Sequence, residues 1–314
     1  MVYDAILMVI PDKVPLLKTS IEYMIKNLGA DRIFLVANKS CELLINNELA
    51  CYDNVLFLDE EAIFDGLNIE KIRDILKDLC GDYGRAGWFY QQFLKMAYAF
   101  KSDNEYYLVF DSDTVPLNNI KYFSEDGKPC FITKVEYHKP YFDTLDVLTE
   151  GKVRRVDKNI SYIAENMIIN KKIMVEIIDM IMNNQNLKGD LFFEKILYAI
   201  SKDVVKYTGF SEFETYGNYI MTNYPSTYNR MKLRTQRRGT FLFGPLPNSE
   251  QLEWASKDYD IISFENYGHS WLKNITNSPK IREKYTASQM FRKFIWISNL
   301  VDVLRGREVI KYDG

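Results

Sequence analysis

Tyr106-Tyr107-Leu108-Val109-Phe110-Asp111-Ser112-Asp113-Thr114-Val115-Pro116 is the stretch on which the fold turns. Residues 106–110 form a short apolar run of the length and composition of a buried strand. Two carboxylates separated by one small residue follow it, and Pro116 stops further extension. Upstream, strand-like and helix-like patterns alternate. Residues 5–10 read as a strand that breaks at Pro11-Asp12-Lys13. Residues 14–28 have helical spacing and Gly29 follows as a cap. Residues 33–37 and 55–58 read as further strands, with helical material at 68–79 and 87–100. Such alternation predicts an α/β fold with a mixed, mainly parallel sheet flanked by helices. In sheets of this kind ligands bind beyond the carboxyl ends of the strands, where Asp111 and Asp113 lie in the chain.

Downstream of Pro116 the pattern is less regular. Strands are expected at 130–135, 167–169, 204–207 and 261–264, a helix at 173–182, and a polar loop over 216–228 leading to the basic cluster 230–238. Residues 288–304 have the spacing of an amphipathic helix. The simplest division is one domain over 1–275, with halves at 1–115 and 116–275, and a C-terminal helical extension (276–314).

The 314 residues are 47% apolar and 26% charged, a composition that supports a real core. The formal net charge of −3 excludes broad nucleic-acid binding. Twenty-two Tyr and nineteen Phe suit a cleft that stacks rings, and equally a large core. Cys41, Cys51, Cys80 and Cys130 show no zinc-ligand spacing and are expected as reduced, buried thiols in a cytoplasmic protein. No secretion signal is expected, because the first strand follows Met1 without a basic region. No apolar stretch approaches the roughly 18–20 residues needed to cross a bilayer.

Two like charges a few ångströms apart repel by roughly 4 kcal/mol at an effective dielectric near 20. A divalent cation, held by one or two carboxylates plus substrate phosphates and water, relieves that repulsion. The plain alternative is a solvated turn after a strand.

On these residues the chain resembles the GT-A (Rossmann-like) glycosyltransferases, whose Asp-x-Asp motif follows the nucleotide-binding half of the sheet. More narrowly it resembles an uncharacterised bacterial family linked to surface polysaccharide synthesis. The resemblance rests on Gly87-Trp88-Phe89-Tyr90-Gln91-Gln92-Phe93-Leu94-Lys95, Phe110-Asp111-Ser112-Asp113-Thr114 and Glu136-Tyr137-His138-Lys139-Pro140-Tyr141-Phe142. Ser161-Tyr162-Ile163-Ala164-Glu165-Asn166-Met167 and Phe210-Ser211-Glu212-Phe213-Glu214-Thr215-Tyr216-Gly217 complete it. Glu165-Asn166 departs from the pattern, since relatives are expected to carry His there.

The resemblance implies transfer of a sugar from a nucleotide-sugar donor, UDP-linked in most such enzymes, to a glycan or lipid-linked acceptor. It implies Mn²⁺ or Mg²⁺ held by Asp111 and Asp113 with His269 as a further ligand, neutralising the diphosphate leaving group. An inverting enzyme needs a carboxylate base, expected at Glu212 or Glu214. Ser211-x-x-Glu214 has capping-box spacing, so Glu214 is alternatively a helix cap. Gln91, Gln92 and Lys95 are implied donor contacts. Asp12 and Lys13 follow from their place after the first strand, and Arg238 from its basic cluster. His138 and Tyr141 are expected on the acceptor side. The basic amphipathic C-terminal helix suits peripheral contact with the inner membrane face, or packing on the domain. A retaining transferase remains compatible with the motif. So do a sugar-nucleotidyltransferase, although residues 11–15 lack the expected glycine, and a non-catalytic carbohydrate-binding subunit.

Overall fold

The computed structural model describes residues 1–11, 14–265 and 273–304. Strands in chain order are β1 (Tyr3–Met8), β2 (Ile33–Ala37), β3 (Val55–Asp59), β4 (Tyr106–Phe110), β5 (Thr114–Pro116), β6 (Cys130–Ile132), β7 (Asn166–Asn170), β8 (Asn229–Met231), β9 (Thr235–Gln236) and β10 (Ile261–Ser263). Helices α1 (Val14–Asn27), α2 (Glu42–Leu49), α3 (Ile69–Cys80), α4 (Ala86–Ala97), α5 (Lys139–Leu148), α6 (Lys171–Asn183), α7 (Phe192–Ala199), α8 (Lys202–Val205) and α9 (Glu212–Asn223) precede β8. Helices α10 (Gly239–Phe243), α11 (Ser249–Ser256), α12 (Lys273–Thr276), α13 (Pro279–Lys284) and α14 (Ala287–Leu304) follow β9.

The chain forms two compact units. The first comprises residues 1–14, 29–112 and 121–232, the second 15–28, 113–120 and 233–314. The first unit is built on the sheet β3-β2-β1-β4-β7. Its first four strands are mutually parallel, and β7 closes the edge antiparallel to β4. This is the expected mixed α/β class with a mainly parallel sheet. The central strands are apolar and buried on both faces, as a helix-covered parallel sheet requires. One exception sharpens the rule: Asp4 is fully buried on β1, and the Arg32 fork before β2 satisfies it at 2.9 and 3.0 Å.

The second unit carries the sheet β5-β10-β9. Its core gathers Leu16, Val115, Trp254, Ile262, Phe291 and Phe294. Helix α1 is tied to β5 through Ser20, which donates to the Thr114 carbonyl at 2.5 Å, and Asn27, which donates to that of Pro116 at 2.7 Å.

Three local expectations are corrected. Residues 204–207 are not a strand: α8 ends at Val205, whose side chain is buried by one helical turn. The expected polar loop is largely helix α9, because its polar groups are bonded inside the fold. Tyr216 and Tyr228 hydroxyls meet at 2.7 Å, and Asn218 donates to the Glu214 carboxylate at 3.0 Å. Gly217 lets the Tyr162 ring pack against the helix where any Cβ would collide. Among the cysteines, Cys41 and Cys130 are buried as expected, whereas Cys51 is exposed. No described helix is long and apolar enough to cross a membrane.

Candidate active site

Asp111 is the first residue beyond β4, at the carboxyl end of the strand. Its backbone N–H donates to the Glu165 carbonyl at 3.0 Å, which extends the β4–β7 ladder by one bond and fixes where the carboxylate emerges. Glu212 opens α9, whose start is set by Ser211: that hydroxyl accepts the Glu214 N–H at 3.2 Å. About a hundred residues separate Asp111 and Glu212 in the chain, and α4 joins them. Lys95, on its last turn, places its ammonium 2.9 Å from Asp111 Oδ1 and 3.2 Å from Glu212 Oε1.

This trio is built rather than incidental. Lys95 and Glu212 are buried, while Asp111 is partly open. The ammonium also lies 5.0 Å from the centre of the Phe213 ring. The Tyr107 hydroxyl donates to the Lys95 carbonyl at 2.9 Å, which anchors the last turn of α4 to the sheet. Burial by itself lowers the Lys95 pKa. The Asp111 and Glu212 charges outweigh it and hold the ammonium above its ordinary value. Lys95 is thus a resident cation between two carboxylates, and its charge reaches groups of this chain.

Glu214, two residues from Glu212, has a different environment. The Ser161 hydroxyl donates to its Oε1 at 2.5 Å and the Asn218 amide to its Oε2 at 3.0 Å. Burial pushes its carboxyl up, partly offset by these hydrogen bonds. It ties α9 to the segment before β7; Ser211 is the N-cap and takes the Glu214 backbone N–H, but the Glu214 carboxylate does not return to Ser211, so the expected capping box is only half formed.

Around the trio, Gln92 is 4% exposed and its Oε1 accepts the Glu212 N–H at 3.3 Å. Gln91 is half-buried on the same helix. Tyr141, in the first turn of α5, has its phenol raised by burial, an effect that Thr208 partly offsets and the Glu212 charge adds to. His138 occupies the N-cap position of α5 without a side-chain cap bond, and its ring stands 4.5 Å from that of Tyr141 with Nε2 buried and unbonded. Lys134 pairs with Glu165 beside the backbone contact to Asp111. The pairing was not legible in the sequence, since no periodicity links residues 31 apart.

The remaining candidates are placed as follows. Ser112 and Asp113 fall on either side of the boundary between the two units. In the second unit the Asp113 carbonyl accepts the Phe264 N–H at 2.7 Å. Within the basic cluster Arg230 pairs with Asp157, Arg234 with Asp260 and Arg237 with Glu265, at 3.3, 2.6 and 2.8 Å. Arg238 donates its backbone N–H to Gln236 at 3.1 Å. Asp12, Lys13 and His269 lie outside the described residues. Among the described residues no three His, Cys, Asp or Glu side chains gather as a metal site.

Residues 12–223 match the model of a family of unknown function, DUF6492. The chain belongs to this family. No curated protein matches it in sequence. Among solved structures, mouse xyloside xylosyltransferase 1 aligns over 86% of this chain and 96% of its own, at 12% identity and a TM-score of 0.42. The WbbM bifunctional glycosyltransferase aligns over 90% of this chain and 51% of its own, at 12% identity and a TM-score of 0.44. The galactosyltransferase LgtC, solved with donor and acceptor sugar analogues, covers 90% and 96% at 11% identity and a TM-score of 0.39.

Proposed function

We propose that the protein is a GT-A-type glycosyltransferase that moves a sugar from a nucleotide-sugar, a UDP-sugar in the first instance, to a glycan or lipid-linked acceptor. The observation that carries this reading is the Lys95–Asp111–Glu212 cluster beyond the carboxyl end of β4. That is where open parallel sheets bind ligands. A Mn²⁺ or Mg²⁺ ion fits the Asp111-Ser112-Asp113 segment together with donor phosphates, where it would neutralise the departing diphosphate.

Glu212 is the preferred base, because both carboxylate oxygens of Glu214 are already engaged. In an inverting transfer the acceptor oxygen forms a bond to the anomeric carbon as the bond to the diphosphate oxygen breaks. The acceptor proton passes to Glu212, and the bonding pair leaves with the nucleotide. Tyr141 and His138 line the acceptor side. The sequence resemblance supports a place in bacterial surface polysaccharide synthesis, on the cytoplasmic side of the membrane. On α14, Trp296 is 68% exposed and Leu300, Arg292 and Lys293 are also exposed, a face suited to peripheral contact with anionic lipid.

The test is calorimetric titration of nucleoside diphosphates with and without Mn²⁺, alongside turnover of Asp113→Ala. Metal-dependent binding of one nucleotide and a rate loss of order 10²–10³ in the variant are expected. Turnover at the wild-type rate in Asp113→Ala overturns the metal assignment.

A further inference from the structure

Gln92 is buried beside the trio, yet only half of its amide is used. Its Oε1 accepts the Glu212 N–H, and no flip relieves the rest, because an NH₂ group cannot accept from an N–H. The orientation is therefore set, and Nε2 is left buried without a partner. A buried amide donor that finds no acceptor is costly and uncommon in folded proteins. Gln92 and Lys95 stand three apart on α4, on one helical face, and both reach the first residue of α9. The unused donor is therefore buried on the face of α4 that meets the start of α9, where Lys95 pairs with Glu212.

Such a set selects its ligand. Glu212 and Asp111 only accept, while Gln92 Nε2 and Lys95 only donate. A group satisfying both kinds at once must itself accept and donate, which a hydroxyl does and a phosphate or carboxylate does not. We propose that Gln92 is a specificity-determining residue whose amide donates to a hydroxyl of the transferred sugar, that hydroxyl in turn donating to Glu212 or Asp111. The inference rests on the transferase reading above and names the part of the donor that this corner of the site recognises.

The experiment measures, with Mn²⁺ present, the affinities of UDP and of UDP-glucose, UDP-galactose and UDP-N-acetylglucosamine for wild type, Gln92→Glu and Gln92→Leu. Gln92→Glu keeps an acceptor for the Glu212 N–H and removes the donor, and UDP affinity serves as the control for folding. The preferred UDP-sugar is expected to lose about tenfold in affinity in both variants while UDP is unchanged, as for one hydrogen bond left unmade. Monodeoxy analogues of that sugar complete a double-mutant cycle, in which the analogue lacking the recognised hydroxyl is indifferent to Gln92. UDP-sugar affinities that stay at wild-type values in both variants overturn the proposal while the transferase reading stands, and leave Gln92 holding a buried water. If no nucleotide binds wild type at all, the transferase reading fails and this inference falls with it.

Discussion

Glu212 and Glu214 sit in the same first turn of α9, both buried, and differ in every partner. The Glu212 carboxylate faces a cation, Lys95, which also holds Asp111 from the end of β4. The Glu214 carboxylate faces neutral donors, the Ser161 hydroxyl and the Asn218 amide. Burial raises the cost of a carboxylate charge at either position. At Glu212 an opposite charge meets that cost, and the pair stays beside a partly open carboxylate. At Glu214 hydrogen bonds offset it only in part, and its two oxygens are taken by Ser161, in the chain before β7, and by Asn218 on α9. Two like residues two positions apart thus divide into a carboxylate paired with a cation and a carboxylate bonded to neutral donors.

The sharpest way to break this comparison is to neutralise each carboxyl in turn. Glu212→Gln is expected to lower kcat of sugar transfer by about 10²–10⁴, the range for a positioned base. Glu214→Gln should instead cost about 1–3 kcal/mol of stability, because a neutral amide offers one acceptor oxygen where the carboxylate accepts from both Ser161 and Asn218. Equal rate losses in the two variants, read by steady-state kinetics at matched folded fraction, end the division of roles.

Lys95→Met probes the cation side. It leaves Glu212 buried beside Asp111 without an opposite charge, and about 3 kcal/mol of destabilisation is expected, the low end for breaking a buried pair because Asp111 is partly open. Denaturant unfolding measures it. A variant as stable as wild type means the trio is not held together by charge.

The smallest effect is a pH signature of Glu214. Its folded pKa lies above the ordinary 4.5, chiefly through burial, so the folded state holds this proton more tightly than the unfolded chain does. The resulting stabilisation is present below 4.5 and is lost as pH rises through the raised value. Glu214→Gln removes that decline, so Tm of the variant minus that of wild type should climb across this window. A flat difference shows that the carboxyl titrates normally.

Local pattern carried much of this. Period and composition alone located β1 to β4, their intervening helices, and an acidic turn at the end of β4, because a parallel sheet buried on both faces needs continuous apolar runs and cannot hide them. The start of α9 was legible too, since Ser211 as its N-cap is written within four residues. The body of α9 was not, because its Tyr and Asn side chains look solvent-facing until their partners are known, Tyr228 and Asn170 for Tyr216 and Glu214 for Asn218.

The sequence by itself determined the class of fold and the strand that leads into Asp111. Tertiary structure alone decided that Lys95 belongs to Asp111 and Glu212, that Glu214 is bonded to Ser161 and Asn218 instead, and that Gln92 keeps an unused donor. The reason is range: strand and helix periods act over a few residues, whereas the partners of a buried charge come from wherever the fold brings the chain back.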